Sequence, residues 1–207
     1  MGVAERLRQR HATALESLVR HPFFLAAENG TLSATERDRY FINERHFVGS
    51  ARGIFALLLT KAPSLSSARH LVDILDGLVN EQEPLFDRIY SDLGLEDPEM
   101  PAPAARDLSL GMTEIARDLP YVAGIGAMSV AEWSYAEVAQ RGDWDRTSDP
   151  TLRDWFRLHG QETFRNGVRW LEREMDFQWL DQYEAEVDQA FRRAIDLEIA
   201  FHADPLR

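Results

Sequence analysis

Cysteine is absent from the sequence. That excludes a disulfide scaffold, a thiolate metal site and a cysteine nucleophile. Lysine is almost absent: Lys61 stands alone, and arginine supplies the other basic residues. Basic charge is scarce overall, and the formal net charge is −12. Nucleic-acid binding rests mainly on neutralising phosphates, so an acidic chain argues against it. No run approaches the roughly 18 apolar residues of a membrane span. The first ten residues are charged throughout and lack the apolar stretch of a secretory signal, which leads us to expect a cytoplasmic protein without a membrane partner. The Gly-rich phosphate loop, the His-Glu-x-x-His zinc motif and the Gly-x-Ser-x-Gly elbow are also missing.

What is present is helical periodicity. At 207 residues and 44% hydrophobic, the chain suits one globular domain, and we expect residues 1–207 to form a single all-α unit. A first helix is predicted over 3–20, ended by His21-Pro22 because proline disfavours helix in the residue before it. Asn29-Gly30 reads as a turn, and Ser33 with Glu36 as a capping box opening a helix to Lys61. A third helix is expected over 66–93, kinked or divided by Pro84 and closed by Gly94. Further helices are expected over 104–118, 121–140, 150–177 (bent at Gly160 or Gly167) and from an Asp181 cap to His202. Gly124 and Gly126 permit close helix approach. About seven helices with short connections make a bundle.

Two carboxylates fall on apolar stripes. Glu198 has Ala194, Ile195 and Phe201 three or four residues away, with His202 as its one polar neighbour. Glu44 has Tyr40, Phe41, Phe47 and Val48. A carboxylate facing the interior must be paired, hydrogen-bonded or protonated. The pattern allows two readings: a tuned acid or base, or an interior ion pair with an arginine. His159, after Trp155 and Phe156, reads alone as a hydrogen-bonded core histidine. Trp133 and Tyr135 read as core packing or as the wall of a pocket for a flat ring. Glu81, Glu83, Glu132 and His159 are the residues of metal-ligand type, but they lack the Glu-x-x-His spacing of di-iron bundles, so neither a metal nor another cofactor is expected.

Three segments resemble the TenA family, also called thiaminase II, of the heme-oxygenase-like superfamily. The first comprises His21-Pro22-Phe23, Gly30-Thr31-Leu32 and Tyr40-Phe41-Ile42-Asn43-Glu44. The second is Ala131-Glu132-Trp133-Ser134-Tyr135-Ala136-Glu137-Val138, and the third Glu198-Ile199-Ala200-Phe201. The resemblance implies a heme-oxygenase-like bundle with an internal pocket. It also implies hydrolysis of aminopyrimidines or thiamin, releasing hydroxymethylpyrimidine for salvage, and assembly as a homodimer or homotetramer. The family's catalytic acid matches Glu198, and its tyrosine on the helix over 121–140 matches Tyr135. Its pyrimidine-anchoring aspartate falls at Glu44, one methylene longer, and an aromatic of the same helix at Phe47. Its nucleophilic cysteine falls at Ala131 and a further tyrosine at His159; a third pocket tyrosine is replaced, with Leu108 and Leu110 nearby. One branch of the family uses a glutamate in place of the cysteine, which Glu132 would supply from one position away, about 100° around the helix.

The resemblance thus implies a small flat ligand held by Glu44, Phe47, Trp133 and Ala131, with Glu198, Tyr135, His159 and Glu132 moving protons. Covalent thiol chemistry is excluded. Two other readings stand beside it. One is an oxidase or oxygenase related to pyrroloquinoline-quinone synthase or to di-iron members of the superfamily. The other is a non-catalytic ligand-binding regulator.

Overall fold

The structure, a computed structural model, describes residues 2–207. Its elements are α1 (Val3–Arg10), α2 (Ala12–Val19), α3 (Pro22–Glu28), α4 (Ala34–Thr60), α5 (Leu65–Gly77), a π-turn (Leu78–Gln82) and α6 (Glu83–Leu93). These are followed by α7 (Pro103–Asp118), α8 (Tyr121–Arg141), α9 (Pro150–His159), α10 (Glu162–Phe177) and α11 (Glu184–Ala203). No strand occurs among the described residues. No helix among them is long and apolar enough to cross a membrane.

α8 is the central element. Its first half, Val122 to Ala131, is buried on every side, as a helix that is apolar all round must be. It packs against α11, α10 and α7, while α4 packs against α7 and α5. Gly124 brings α8 close to α4 and α7: a Cβ there would collide with Leu58 Cδ2 and lie 3.5 Å from Ala116 Cα.

Several predicted boundaries are corrected. The first helix is broken at His11, whose backbone leaves helical geometry. His21-Pro22 does not simply end a helix but starts α3: Pro22 takes the first helical position, and His21 Nδ1 accepts from the Phe23 amide at 3.2 Å. Pro84 does not divide the third helix. The π-turn immediately before it joins α5 to α6 without interruption, and this widened turn is where the helix accommodates proline's missing amide. The sixth helix breaks at Gly160, not Gly167. Asp181 is not the cap of α11; it accepts from Trp179 Nε1 at 3.0 Å and opens a short 3₁₀ turn. The Ser33–Glu36 capping box is present with both of its hydrogen bonds.

The single lysine has a structural role. Lys61 Nζ donates to the carbonyls of Ala116, Arg117 and Leu119 at 2.7, 2.7 and 2.8 Å. It thereby caps the C-terminus of α7, where orphan carbonyls and the helix dipole both favour a cation. Lys61→Met is expected to destabilise the protein by about 1–3 kcal/mol in urea unfolding, since charge-assisted bonds are lost and carbonyls left bare. Lys61→Arg should recover only part of that loss, because a planar guanidinium cannot converge on three carbonyls from one point.

Candidate functional site

α4 carries Tyr40 and Glu44 one turn apart, α8 carries Glu132 and Tyr135, and α11 carries Glu198 and His202 one turn apart. The crossing of these three helices brings the polar ends together. Glu198, Glu44 and His202 are 1%, 5% and 0% exposed. Among the described residues neither Glu44 nor Glu198 has an arginine partner, so the interior ion pair that the pattern allowed is not formed. The arginines are engaged elsewhere: Arg45 with Asp87 at 2.7 Å, and Arg52 with Glu83 at 2.8 Å.

The Tyr135 hydroxyl is the hub. It lies 2.7 Å from Glu44 Oε2, 3.0 Å from the Tyr40 hydroxyl and 3.2 Å from His202 Nε2. Trp155 Nε1 donates to the Tyr40 hydroxyl at 2.6 Å. Burial drives both phenols well above their ordinary range, aided by the neighbouring Glu44 and Glu198 charges. Glu44 is pushed up to about 8, chiefly by burial, against which the Tyr135 hydrogen bond acts; repulsion from Glu132 adds to the rise. Glu198 is raised well above a carboxylate's usual value by burial and by Glu44 and Glu132, and its Oε1 has no hydrogen-bond partner. Glu132 is raised to about 7 by burial. All three carboxyls are therefore shifted toward the acid form, Glu132 only as far as partial ionisation near neutrality, for the reason that governs any unpaired interior carboxylate.

The histidines move the opposite way. Burial lowers His202 to about 3 and His159 to about 4. The His159 ring lies 4.9 Å from Tyr135 and 4.5 Å from Trp155, and its Nδ1 donates to the Trp155 carbonyl at 2.7 Å.

A cavity of about 300 Å³ opens beside Glu132, lined among others by Phe55, Leu78, Glu81, Gln82 and Phe164. Its size suits a small organic molecule, and its mainly apolar walls carry two carboxyls, Glu81 and Glu132, of which Glu132 makes no hydrogen bond or ion pair among the described residues. The π-turn forms part of the wall, a location where such irregular turns recur. Larger surface grooves, of about 530, 550 and 700 Å³, touch none of Glu44, Glu132 and Glu198.

The predicted residues thus divide. Glu44, Tyr135 and His159 are in direct contact through Tyr135, and Glu132 and Glu198 join them electrostatically. Phe47 is buried, its ring 6.4 Å from Phe201, and Ala131 is buried on α8. Trp133 lies apart, half-buried with the Arg8 guanidinium 5.9 Å over its ring. Leu108 is buried and Leu110 exposed. Glu83 is held by Arg52, and no group of three or more His, Asp or Glu is placed to hold a metal ion among the described residues. Sequence reasoning passed over Tyr40, Trp155 and His202 as members of the network; the one available signal was His202 lying four residues from Glu198.

The architecture has known counterparts. A TenA homologue from Pyrococcus horikoshii OT3 superposes with a TM-score of 0.91 at 18% identity, covering 99% of this chain and 98% of that one. A TenA family transcription regulator from Silicibacter sp. TM1040 gives 0.89 at 18%, covering 99% and 97%. A domain with a heme oxygenase-like fold from Shewanella denitrificans OS217 gives 0.78 at 14%, covering 98% and 91%. The fold is therefore heme-oxygenase-like. No curated protein matches the sequence. The model of the TENA/THI-4/PQQC family matches residues 8–207, almost the whole chain, and the protein belongs to that family.

Proposed function

We propose that the protein binds a small, flat aminopyrimidine in the cavity at Glu132 and hydrolyses it without a cysteine nucleophile, serving thiamin-precursor salvage. The observation that carries this reading is a half-buried carboxyl, Glu132, in the wall of a mainly apolar cavity, coupled by charge to two buried carboxyls, Glu44 and Glu198, with none of the three paired with arginine among the described residues. Unpaired interior carboxyls are costly to keep, and strongly perturbed groups beside a pocket mark candidate catalytic sites.

The roles follow from the protonation states. Glu132, raised to about 7, is partly ionised near neutrality and suits a general base. It takes a proton from water as the water oxygen bonds to the substrate's exocyclic methylene carbon. The carbon–nitrogen bond breaks, and Glu198, held in its acid form, gives its proton to the leaving amine. One proton enters Glu132 and one leaves Glu198, so transfer through solvent restores the resting state. Phe164 and Phe55 supply apolar walls, while Glu44, which Tyr135 holds, stands outside the cavity lining and bears on Glu132 and Glu198 through its charge. We expect the chain to act in the cytoplasm as a homodimer or homotetramer, the assemblies implied by the family.

The test is direct incubation with thiamin and with amino- and formylamino-pyrimidines, read by chromatography for hydroxymethylpyrimidine. Glu132→Gln should weaken binding of the aminopyrimidine by about tenfold or more in calorimetry, because a charged acceptor is replaced by a neutral amide. Absence of turnover, together with unchanged binding in Glu132→Gln, would reject the reading.

A further inference from the structure

His202 belongs to no role assigned above, and it is fully buried. Counting protons through its hydrogen bonds gives it one. His202 Nδ1 lies 2.8 Å from the Glu198 backbone carbonyl, which only accepts, so Nδ1 carries the ring proton. The Glu198 carboxyl, at 3.7 Å from Nδ1, is too far to take that bond. Nε2 is therefore a lone pair, and Tyr135 is its one hydrogen-bonding neighbour among the described residues.

The other end of the network is fixed in the same way. Trp155 Nε1 only donates, so the Tyr40 oxygen accepts and the Tyr40 proton goes to Tyr135. Tyr135 then has one proton left and two acceptors, Glu44 Oε2 and His202 Nε2. When Glu44 is ionised it takes that proton, and the buried Nε2 is left bare. When Glu44 is an acid, its own hydroxyl donates to Tyr135, the Tyr135 proton turns to His202, and every group is satisfied.

We propose that His202 is a positioning residue: it competes with Glu44 for the single Tyr135 hydroxyl proton and so holds Glu44 in its acid form. The remaining titratable groups near this pair are Glu132 on α8, Glu198 on α11, His159 on α9 and His21 before α3. Glu132 raises Glu44 through repulsion, and Glu44 raises Glu198 in the same way. His159 and His21 are both held toward the neutral form by burial. None of these supplies or removes a hydrogen bond at Tyr135, so the competition is specific to His202. It needs no ligand and holds whether or not the protein hydrolyses aminopyrimidines.

The experiment is an infrared titration of the ligand-free protein, with the Glu44 carboxyl band isolated by difference against Glu44→Gln. His202→Phe should lower the Glu44 midpoint by about one pH unit, a tenfold change, because the ionised form no longer strands a buried acceptor. His202→Gln, which retains an acceptor, should restore most of the shift. In the Tyr135→Phe background His202→Phe should have no effect on that midpoint. Nitrogen NMR of His202 supplies a second reading that does not depend on the Phe variant folding. Its Nε2 signal should respond to the Glu44 titration in the native protein and lose that response in Tyr135→Phe. An unchanged midpoint in His202→Phe, a shift of equal size in both backgrounds, or an Nε2 response that survives in Tyr135→Phe would overturn the proposal.

Discussion

Above about pH 6.5 the protein is expected to lose stability steadily, with Glu44 alone costing about 2 kcal/mol by pH 8. The sign follows from proton uptake. Glu44 titrates near 4.5 in the unfolded chain and at about 8 in the fold. Between those values the folded state holds a proton that the unfolded state has released. Stability therefore falls as pH rises through the window, and the loss from this group ends once the folded carboxyl has also ionised. Glu132, raised to about 7, and Glu198, raised further by burial and its acidic neighbours, act in the same direction. His159 and His202 oppose them at lower pH. Their folded values of about 4 and about 3 mean that stability falls as pH drops below about 6.5, where the unfolded imidazoles take up protons. The two sets roughly offset each other below about pH 6.5, and above it only the carboxyls remain. The prediction is checked by urea unfolding from pH 5 to pH 9. Glu44→Gln, a neutral isostere of the acid form, should flatten the alkaline decline. Equal slopes in the native protein and the variant would refute it.

That pH dependence comes from residues whose interior placement is legible in the sequence. Glu44 and Glu198 each sit among apolar neighbours at spacings of three and four, and both are buried. What their partners would be is not legible. The arginines expected as alternatives are long side chains that reach surface carboxylates, such as Arg37 to Asp149 and Arg45 to Asp87. The groups that do meet Glu44 come from 91 residues away along the chain, in Tyr135, and through it from His202 on α11. Periodicity along one helix says which face is inward, but carries nothing about which face of another helix it meets. Tyr40, Trp155 and His202 were hidden for a related reason. An aromatic or imidazole ring on an apolar face contributes packing whether or not its polar atom has a partner, so its pattern is that of core. Trp133 shows the converse: next to two inward residues in a conspicuous motif, it is turned toward Arg8 by the helical step of about 100°.

The fold was more legible than the site because its determinants are local. The Ser33–Glu36 box, proline at the first position of α9 and the apolar stretch of α8 each need only a few neighbouring residues. The failures arose where one local signal had two outcomes. Pro22 reads as a stop for the preceding helix and also starts the next one. Pro84 signals a kink or a division, and the π-turn before it lets the helix continue undivided. That choice has a consequence for the site, since the same π-turn contributes Leu78, Glu81 and Gln82 to the cavity wall beside Glu132.

Glu198→Gln is expected to lower aminopyrimidine turnover by about 10²–10⁴-fold, the usual contribution of a positioned general acid, while leaving affinity within a few-fold. The carboxyl is 1% exposed, its Oε1 has no partner, and burial beside Glu44 and Glu132 keeps it protonated. A protonated carboxyl and an amide have nearly the same shape and charge, so the fold and the ground-state pocket should tolerate the exchange. Only the acid can release a proton to the departing amine. The loss should therefore fall on kcat and leave KM little changed, as expected for an interaction realised in the transition state. Stability supplies an independent check. Removing a carboxyl that cannot ionise without cost should make Glu198→Gln at least as stable as the native protein above pH 7, by the same proton balance that governs Glu44. A variant that unfolds more readily at alkaline pH would show that Glu198 is held there by an attractive partner. A variant that keeps full turnover would move the acid role to another of the buried carboxyls, with Glu44 the first to test, because its hydroxyl proton connects through Tyr135 to His202.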